Sequence, residues 1–277
     1  MNMRVNKSYW LAGLLALCCI GGVFAYWTQE ILVHNEFETA RYDTKIEENF
    51  VPPDNWKPGQ EINKDVWISN KGTVPAFMKV TLHQQWIRTK NVTDLDGEVI
   101  KPSAGESFPL SFKTGDGEEY AAKIKWGDVV LLSSGRKRSI DLGIDVVDSI
   151  EKANGKWLLT SDVADKNGDY LLYLIGMVDS GKKSPLIVDS VMMNPQIQPA
   201  ILEKTTYYDA ATDEWKTTSK RNSTSDYECA KYTMTVNATT VQATEDAVRS
   251  VFSTADDNSE VVEYLAGHAV KPADLSR

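Results

Sequence analysis

The stretch from Trp56 to Leu82 constrains the fold of this chain most, because it contains two segments in which apolar and polar residues alternate. One face of the first segment carries Ile62, Lys64, Val66 and Ile68, and one face of the second carries Ala76, Met78, Val80 and Leu82. A period of two is typical of β-strands, whose successive side chains point to opposite faces. Turn residues stand before the first segment at Pro58-Gly59 and between the two at Asn70-Lys71-Gly72. We therefore expect an antiparallel hairpin with one buried face.

Later parts of the chain repeat the strand pattern. Apolar residues alternate with polar ones from Ile140 to Val146, and the last predicted strand begins at Tyr232. The segment from Tyr170 to Ile175 is apolar on both faces, which indicates a central strand. Residues Pro185 to Met192 predict another strand, and Thr205 to Thr218 predict a hairpin.

A chain of 277 residues can bury one substantial core, and all-β domains of this length are common. We predict an all-β fold, a jelly-roll-like antiparallel β-sandwich with insertions and a C-terminal helix, over residues 26–254. Its inner faces are expected to carry Ile62, Val66, Ile68, Met78, Val80, Leu142, Ile144, Met234 and Val236.

The end of the chain is predicted to form a helix and then a tail. Thr239 and Gln242 are spaced as a capping box, so a helix is expected from there through Phe252. Residues 255–277 begin with an acidic, polar run and are expected to form a polar tail. Cys229 is the one cysteine after the N-terminal segment, and we expect either burial beside a strand or an intermolecular disulfide.

Residues 1–25 have the pattern of a cleaved export signal, with a basic start, an apolar stretch and a small residue at the end. Cleavage is expected between Ala25 and Tyr26. No charged residue lies between Lys7 and Glu30, so an uncleaved transmembrane anchor is the alternative. Loss of the leader changes the formal net charge from −9 to −11, because it removes Arg4 and Lys7. Such a surface repels phosphate backbones, and no nucleic-acid partner is expected.

Two motifs identify a resemblance to a known family. The chain carries GGVFAYW at residues 21–27 and PGQEINKDVWISNKGTVPAF at residues 58–77. These motifs resemble the camelysin and TasA family, and within it most closely the BsaA-type branch. Residues 169–192 and 232–252 are similar to the aromatic strand, the turn and the closing strand and helix of that branch.

The resemblance implies an exported structural protein of the cell surface or biofilm matrix, released by a dedicated signal peptidase. It has no counterpart for residues 101–138 and 203–226, which we interpret as insertions. It also implies fibres or pilus-like polymers that form by β-strand addition, with copies of the same chain and other matrix or surface proteins as partners. The assembly strand would be residues 26–46, with Phe37 and Tyr42 setting its register. Contact with a membrane is expected only through the leader before cleavage.

A monomeric surface adhesin or carbohydrate-binding module is the alternative function. Tyr207, Tyr208 and Trp215 lie in the predicted hairpin, and aromatic side chains of this kind bind sugars. Packing between paired strands is the commoner use of such residues. Electron microscopy and size-exclusion chromatography of the mature protein separate the two functions, because an adhesin would stay monomeric and would lose glycan binding in a Trp215→Ala variant.

No catalytic or cofactor-binding motif is present. The histidines His34, His83 and His268 lie far apart, and none belongs to the H-E-x-x-H pattern of zinc proteases. Camelysin is described as a metalloprotease, but no motif in this sequence carries that activity. We therefore predict a protein that is not an enzyme, with no metal site and no cofactor.

Lys64 is the charged residue on an otherwise apolar strand face. Burying an ammonium group without a partner is costly, so its side chain is expected to reach the rim or to pair with a carboxylate. An isopeptide bond to an Asn or Asp side chain is a third alternative, which would suit a surface polymer under mechanical load. Such a bond releases ammonia or water, and an intact mass measurement would detect it.

Overall fold

The computed structural model describes residues 41–53, 55–93, 97–133, 141–161, 168–197, 201–222, 227–254 and 257–271, with the side chains of residues 204–218 in the sixth range. The leader, the expected cleavage site at Ala25 and Tyr26, and Phe37 lie outside the described residues. Among the described residues, no helix is both long enough and apolar enough to span a membrane.

The described part of the chain consists mainly of short and medium β-strands. The strands are β1 (Thr44–Phe50), β2 (Glu61–Asn70), β3 (Ala76–Arg88), β4 (Ser107–Phe108), β5 (Ser111–Thr114), β6 (Gly117–Tyr120), β7 (Ala122–Trp126), β8 (Val129–Leu132), β9 (Asp145–Val147), β10 (Trp157–Leu159), β11 (Asp169–Leu174), β12 (Val188–Met193), β13 (Ile201–Asp209), β14 (Glu214–Asn222) and β15 (Ala230–Gln242). A single 3-10 turn (Ile150–Ala153) and two α-helices, α1 (Glu245–Val251) and α2 (Ser259–Gly267), complete the described elements.

Two sheets form the body of the protein. The smaller sheet has the strand order β1-β2-β12-β7, and the larger has the order β15-β3-β11-β10-β8-β9 with β4 beside β3. Neighbouring strands are antiparallel except at β8, which pairs in parallel with β9 and with β10. Apolar side chains of both sheets meet in one buried core. The predicted all-β sandwich is therefore confirmed.

The segment from Trp56 to Leu82 contains both predicted strands, but they do not form a hairpin. Strand β2 pairs with β1 and β12, whereas β3 pairs with β15 and β11 in the other sheet. The turn at residues 70–72 therefore carries the chain from one sheet to the other. Asn70 holds this crossing, because its buried side-chain amide donates to the carbonyl oxygens of Val74 and Val178 at 2.8 Å each. Gly72 is required there, since a Cβ atom would lie 2.6 Å from the carbonyl oxygen of Arg41.

The turn before β2 has the expected geometry. The amide of Gln60 donates to the carbonyl oxygen of Lys57 at 2.9 Å, which closes a four-residue turn around Pro58 and Gly59. Gly59 has a φ of 77°, the left-handed conformation that the third position of a type II turn needs. The predicted turn is confirmed.

The sandwich core, defined as the buried apolar side chains between the two sheets, contains most of the predicted inner-face residues. Val66, Ile68, Met78 and Val80 are completely buried in it. Leu142, Ile144, Met234 and Val236 pack against it and are partly buried. Ile62, near the start of β2, is half-buried.

The strand predicted from Ile140 to Val146 is mostly wrong. Ile140 lies outside the described residues, and β9 spans only Asp145–Val147. Gly143 has a φ of 67°, a left-handed conformation that interrupts an extended strand. Leu142 and Ile144 still contact the sandwich core, whereas Val146 is half exposed. Alternation alone therefore indicated the burial of two residues correctly but not their secondary structure.

A second group of buried apolar residues lies on the outer face of the larger sheet, and we call it the helix-side cluster. Its sheet residues are Phe77, Val130, Leu158, Tyr173, Ile175 and Val241, and its helical residues are Val248, Val261, Val262, Leu265 and Ala266. Phe252, directly after α1, is also completely buried in it. Helices α1 and α2 therefore cover a face of the sheet that would otherwise be exposed and apolar.

Two predictions for this region are corrected. Thr239 and Gln242 belong to β15 rather than to a capping box, and α1 begins at Glu245 after the N-cap residue Thr244. The expected polar tail contains α2, whose N-cap Asn258 accepts hydrogen bonds from the amides of Glu260 and Val261. The apolar side of α2 is short, and the polar run before it hid the helix from the sequence pattern.

The two segments interpreted as insertions differ from each other. Residues 101–138 contain β4, β7 and β8, which are paired strands of the two main sheets, so much of this segment is part of the sandwich. The hairpin of β5 and β6 turns at residues 115–116, within a Gly-Asp-Gly sequence. By contrast, β13 and β14 form a separate two-stranded sheet.

Candidate functional site

Strand β15 is the longest edge of the described sandwich. It pairs along its whole length with β3, from Ala230 opposite Arg88 to Gln242 opposite Ala76. No strand among the described residues pairs with its other side. From Tyr232 to Gln242 the strand has no charged residue, no proline and no glycine. Natural edge strands usually carry such residues to prevent pairing with other chains, so this edge is unprotected.

The two faces of β15 are also suited to strand pairing. On the inner face Tyr232, Met234, Val236 and Ala238 contact the sandwich core but are only partly buried. On the outer face the exposed side chains between them are small and polar: Thr233, Thr235 and Asn237. An added strand could therefore form backbone hydrogen bonds and at the same time cover the inner apolar row.

Strand β1 is the edge of the smaller sheet on the same side of the sandwich, and its chemistry is different. Its Glu47 carboxylate accepts a hydrogen bond from the Trp67 indole at 2.8 Å and pairs with Lys183 at 3.0 Å and Lys71 at 3.3 Å. The contacts with Lys183 and Trp67 lower the pKa of Glu47 to about 2. Lys183 also lies over the Trp67 ring, 4.3 Å from its centroid. These charges fasten β1 to its own sheet and protect that edge.

The N-terminal end of β1 lies beside β15. The Thr44 hydroxyl is 2.8 Å from the Thr240 hydroxyl, which joins the two edge strands across the sandwich. Arg41, the first described residue, donates its amide to the Thr73 hydroxyl at 2.9 Å. The chain therefore enters the sandwich next to the unprotected edge.

Tyr42, one of the two residues expected to set the register of an assembly strand, packs against the sandwich core of its own chain. Burial raises the pKa of Tyr42 to about 12. Residues 44–46, the end of the expected assembly segment, belong to β1 and pair with β2. Tyr42 and residues 44–46 therefore pack and pair within their own subunit. The assembly role of Phe37 and Tyr42 stays a prediction.

The remaining edges of the two sheets are short or charged. Strand β7 has five residues, two of which are Lys123 and Lys125, and β9 has three residues. Among the described edges, only β15 is both long and free of charge over most of its length. Sequence reasoning missed this feature, although the uncharged run at residues 232–242 was visible. What it could not show is which side of the strand has no partner strand among the described residues.

Lys64 is buried and paired. Its ammonium group is 3.1 Å from a carboxylate oxygen of Glu48 and lies 4.4 Å from the centroid of the Phe50 ring. Glu48 is partly exposed, so the pair sits at the rim of the smaller sheet. Pairing with a carboxylate was one of the expected outcomes for this lysine. An isopeptide bond at Lys64 stays a prediction for mass spectrometry.

The hairpin of β13 and β14 presents its aromatic residues to solvent. Tyr208 and Trp215 are opposite each other in the register, with ring centroids 5.5 Å apart in an edge-on arrangement. Trp215 is 73% exposed, and Tyr207 and Tyr208 are each nearly half exposed. The predicted hairpin is confirmed, and part of its aromatic surface is used in packing between its own strands.

The titratable residues considered for chemistry are dispersed. His34 lies outside the described residues, His83 pairs with Asp169 at 2.6 Å, and His268 stacks on Tyr264. Over the described ranges, no group of three or more His, Cys, Asp and Glu side chains is placed to hold a metal ion.

Cys229 is exposed, which contradicts the expectation of burial. It stands in a turn before β15 with a φ of 55°, and its carbonyl oxygen accepts hydrogen bonds from the amide and hydroxyl of Thr89. A residue in this turn has no neighbouring strand face on which to bury a small side chain.

Comparison with known proteins gives one family match. Residues 7–108 match the model of a family described as camelysin metallo-endopeptidase. The match covers less than half of the chain and ends at β4, so it includes β1, β2 and β3 but not β15 or the helices. No curated protein matches the chain. The N-terminal part is thus similar to the camelysin family, which agrees with the resemblance read from its motifs, whereas the BsaA-type branch stays a prediction.

Proposed function

We propose that this chain is an exported, non-enzymatic structural protein of the cell surface or biofilm matrix, and that it polymerises by β-strand addition. The observation that carries the proposal is the unprotected edge of β15. A segment N-terminal to Arg41 would be the donor strand, supplied by a neighbouring copy. The similarity to the camelysin family and the export signal support the same proposal.

The lengths of donor and acceptor agree. Cleavage after Ala25 leaves residues 26–40 before the first described residue. Fifteen extended residues span roughly 50 Å, and the thirteen residues of β15 span roughly 43 Å, at about 3.3 Å per residue. One donor segment can therefore cover the whole acceptor edge.

The energetics favour addition at β15 over addition at β1. An incoming strand would satisfy backbone groups along β15 and bury more of Met234 and Val236. At β1 the same strand would compete with Glu47 and its three partners. Apolar residues of the donor, with Phe37 among them, would contact the inner row of β15.

A pair of substitutions tests the acceptor edge. In the mature chain that begins at Tyr26, Thr235→Lys with Asn237→Lys places two charges on the exposed face of β15 without touching the core. We expect size-exclusion chromatography and electron microscopy to show loss of polymers. The matched control is Thr217→Lys with Thr218→Lys on β14, which should polymerise normally. Unchanged polymers in the β15 variant would contradict the proposal.

The donor segment has its own test. A chain beginning at Arg41 should stay monomeric, and a synthetic peptide of residues 26–40 should bind it in a 1:1 ratio. A chain that keeps residues 1–25 should also fail to polymerise, because the leader tethers the donor at the membrane. Polymers formed by the chain that begins at Arg41 would show that another surface mediates assembly.

The exposed aromatics of the β13–β14 hairpin support a second candidate, a monomeric adhesin or carbohydrate-binding module. Trp215 is the most exposed of the three aromatic residues, so its substitution tests this candidate best. This candidate requires a protein that remains monomeric under all conditions and loses glycan binding on Trp215→Ala. Polymers from the mature chain would contradict it.

A further inference from the structure

The hairpin of β13 and β14 stands apart from the two main sheets. It forms a two-stranded sheet of its own, and its described side chains, those of residues 204–218, are exposed or half-buried. The outer edges of both strands have no partner strand among the described residues. A hairpin with two solvent-exposed faces is marginally stable in water, and further strands are usually needed. Another strand at one of its edges would therefore stabilise it.

Contacts within the hairpin hold its two strands in one register. The Thr206 hydroxyl is 3.0 Å from the Thr217 hydroxyl, directly across the pair of strands. Lys216 forms an ion pair with Asp209 of the neighbouring strand, so its charge is matched inside the hairpin. Because these contacts order the backbone before any partner binds, the edge of β14 presents its free backbone groups at a low entropic cost.

The sequence of β14 is complementary to itself in one antiparallel register. When two copies of the strand meet about a two-fold axis at Thr217, position 214 of each copy lies opposite position 220 of the other. A glutamate then faces a lysine at both ends of the paired segment. Opposite charges that face each other stabilise paired strands, and like charges destabilise them. The charges of this edge therefore favour a second copy in that register.

Other two-fold registers are less favourable. An axis at Lys216 places that lysine opposite its own copy, and an axis at Thr218 places Lys216 opposite Lys220. An axis further from Thr217 either shortens the overlap or brings no opposite charges together. In β13 the lysine at position 204 and the acidic residues at 203 and 209 lie on opposite faces, so no two-fold register pairs them. The charges thus select one edge and one register.

We propose that β14 pairs with β14 of a second copy about a two-fold axis at Thr217, which joins the two hairpins into a four-stranded sheet. A two-fold interface uses the same patch on both partners, so it requires a self-complementary surface of this kind. Trp215, which is 73% exposed in the single chain, lies close to the axis and loses part of its exposure on pairing.

The contact between hairpins is separate from strand addition at β15. In polymers formed by strand addition, every copy carries one β13–β14 hairpin, and pairing between hairpins of different polymers joins the polymers side by side. This lateral step rests on the proposed function, whereas the pairing of two hairpins does not.

Charge substitutions at positions 214 and 220 test the pairing. The parent protein is the mature chain with Thr235→Lys and Asn237→Lys, which lacks the acceptor edge, and sedimentation velocity measures its association. We expect this parent to form dimers. Glu214→Lys or Lys220→Glu alone should raise the dissociation constant at least about tenfold, because each places like charges opposite each other twice.

A mixture of the two single variants is the sharpest comparison. One variant presents two lysines and the other two glutamates, so the mixed dimer regains both opposite-charge pairs and should form as readily as the parent dimer. The matched control Lys204→Glu changes the charge of the hairpin by the same amount as Lys220→Glu but lies on β13, and it should dimerise normally. No recovery in the mixture, or an equal loss in the control, would overturn the proposal.

Failure of this proposal and failure of strand addition are distinguishable. In the otherwise unchanged mature chain, Thr217→Lys with Thr218→Lys should leave polymers that electron microscopy shows as single rather than laterally joined. Polymers that stay laterally joined in this variant, or a parent protein that is monomeric up to its solubility limit, would overturn hairpin pairing alone. Polymers that persist in the parent protein would instead overturn strand addition at β15, and hairpin pairing would then be measured as their lateral contacts.

Discussion

The two faces of β3 are buried by different means. On the inner face Met78, Val80 and Leu82 are completely buried among apolar side chains of the sandwich core. On the outer face Phe77 is buried in the helix-side cluster, and next to it Lys79 carries a charge into the same region. The difference shows that the inner face is closed mainly by apolar packing, whereas the outer face combines apolar packing with a buried ion pair.

The ion pair joins the sheet to the segment between the helices. The Lys79 ammonium lies 2.7 Å and 2.9 Å from the two carboxylate oxygens of Asp257. The Tyr173 hydroxyl donates to the first oxygen at 2.6 Å, and Thr254 donates its amide and hydroxyl to the second. Because a buried charge is costly unless its hydrogen bonds are complete, this set of partners makes the arrangement stable.

The largest effect is expected on the inner face. Val80→Asp places a carboxylate at a completely buried position among apolar side chains. We expect a loss of about 5 kcal/mol or more in the free energy of unfolding, enough to prevent folding of a typical domain. Circular dichroism and thermal melting check it, with Thr235→Asp on an exposed face as the control. A folded Val80→Asp protein with a normal melting temperature would contradict the assignment of this face to the core.

A substitution in the ion pair gives the next largest effect. Asp257→Ala leaves Lys79 buried and unpaired, because the Lys79 side chain is 11% exposed and that of Asp257 is 2% exposed. We expect a loss of about 3–5 kcal/mol. The double variant Lys79→Met, Asp257→Leu removes both charges and should recover most of that loss. If the double variant is no more stable than Asp257→Ala, the stability of this face is determined by apolar packing and not by charge pairing.

The sequence predicted the inner face of β3 and missed the outer one for a physical reason. Alternation marks a strand with one buried face, and it correctly selected Met78 and Val80. Lys79 has the composition of a solvent-exposed position, so its burial depends on a carboxylate that is 178 residues away in the chain. Helix α2, which follows that carboxylate, was assigned to a polar tail because its neighbours are acidic.

The same limit applies to topology and to the candidate site. The residues of the turn at Asn70 suit a hairpin, and only the contacts of its amide with Val74 and Val178 show that the chain crosses between sheets. The threonine-rich end of β15 fits a capping box as well as a strand, and pairing with β3 decides between them. The sequence shows that β15 lacks charged residues over most of its length. Only the order of the described strands shows that β15 lies at the edge of its sheet.

A smaller effect is expected from the tyrosine of the same network. Tyr173→Phe removes the donor to Asp257 and the acceptor of the Asn258 amide, which is 3.0 Å from the hydroxyl oxygen. The ring would keep its edge-on contact with Phe252. We expect a loss of about 1–2 kcal/mol, measured by denaturant unfolding. The control Tyr264→Phe, on α2, should reduce the free energy of unfolding less. A larger loss in the control would show that the Tyr173 hydroxyl is not the main polar contact of this face.

The smallest effect is the loss of stability in acid, and it depends on carboxylates whose pKa is lowered in the folded protein. Burial by itself raises the pKa of Asp257, but hydrogen bonds from Lys79, Tyr173 and Thr254 outweigh burial and hold that pKa below its usual value. A carboxylate with a lowered pKa in the folded state stabilises the protein above its ordinary pKa, and this contribution is lost as pH falls through the lowered value. Glu47 on β1 behaves in the same way between its ordinary 4.5 and about 2.

The acid response of the helix-side cluster should therefore depend on Asp257. Below about pH 4 the near-ultraviolet signal of the wild type should weaken as the contacts of Tyr173 loosen, while the far-ultraviolet signal of the sandwich persists. The Lys79→Met, Asp257→Leu variant should show less of this change, because it has no charge to lose on that face. Glu47→Gln is the matched control, since it removes a carboxylate with a lowered pKa from the edge of the sandwich and leaves the helix-side cluster intact. If the double variant and the wild type lose their tyrosine signal over the same pH range, the ion pair does not determine how this face responds to acid.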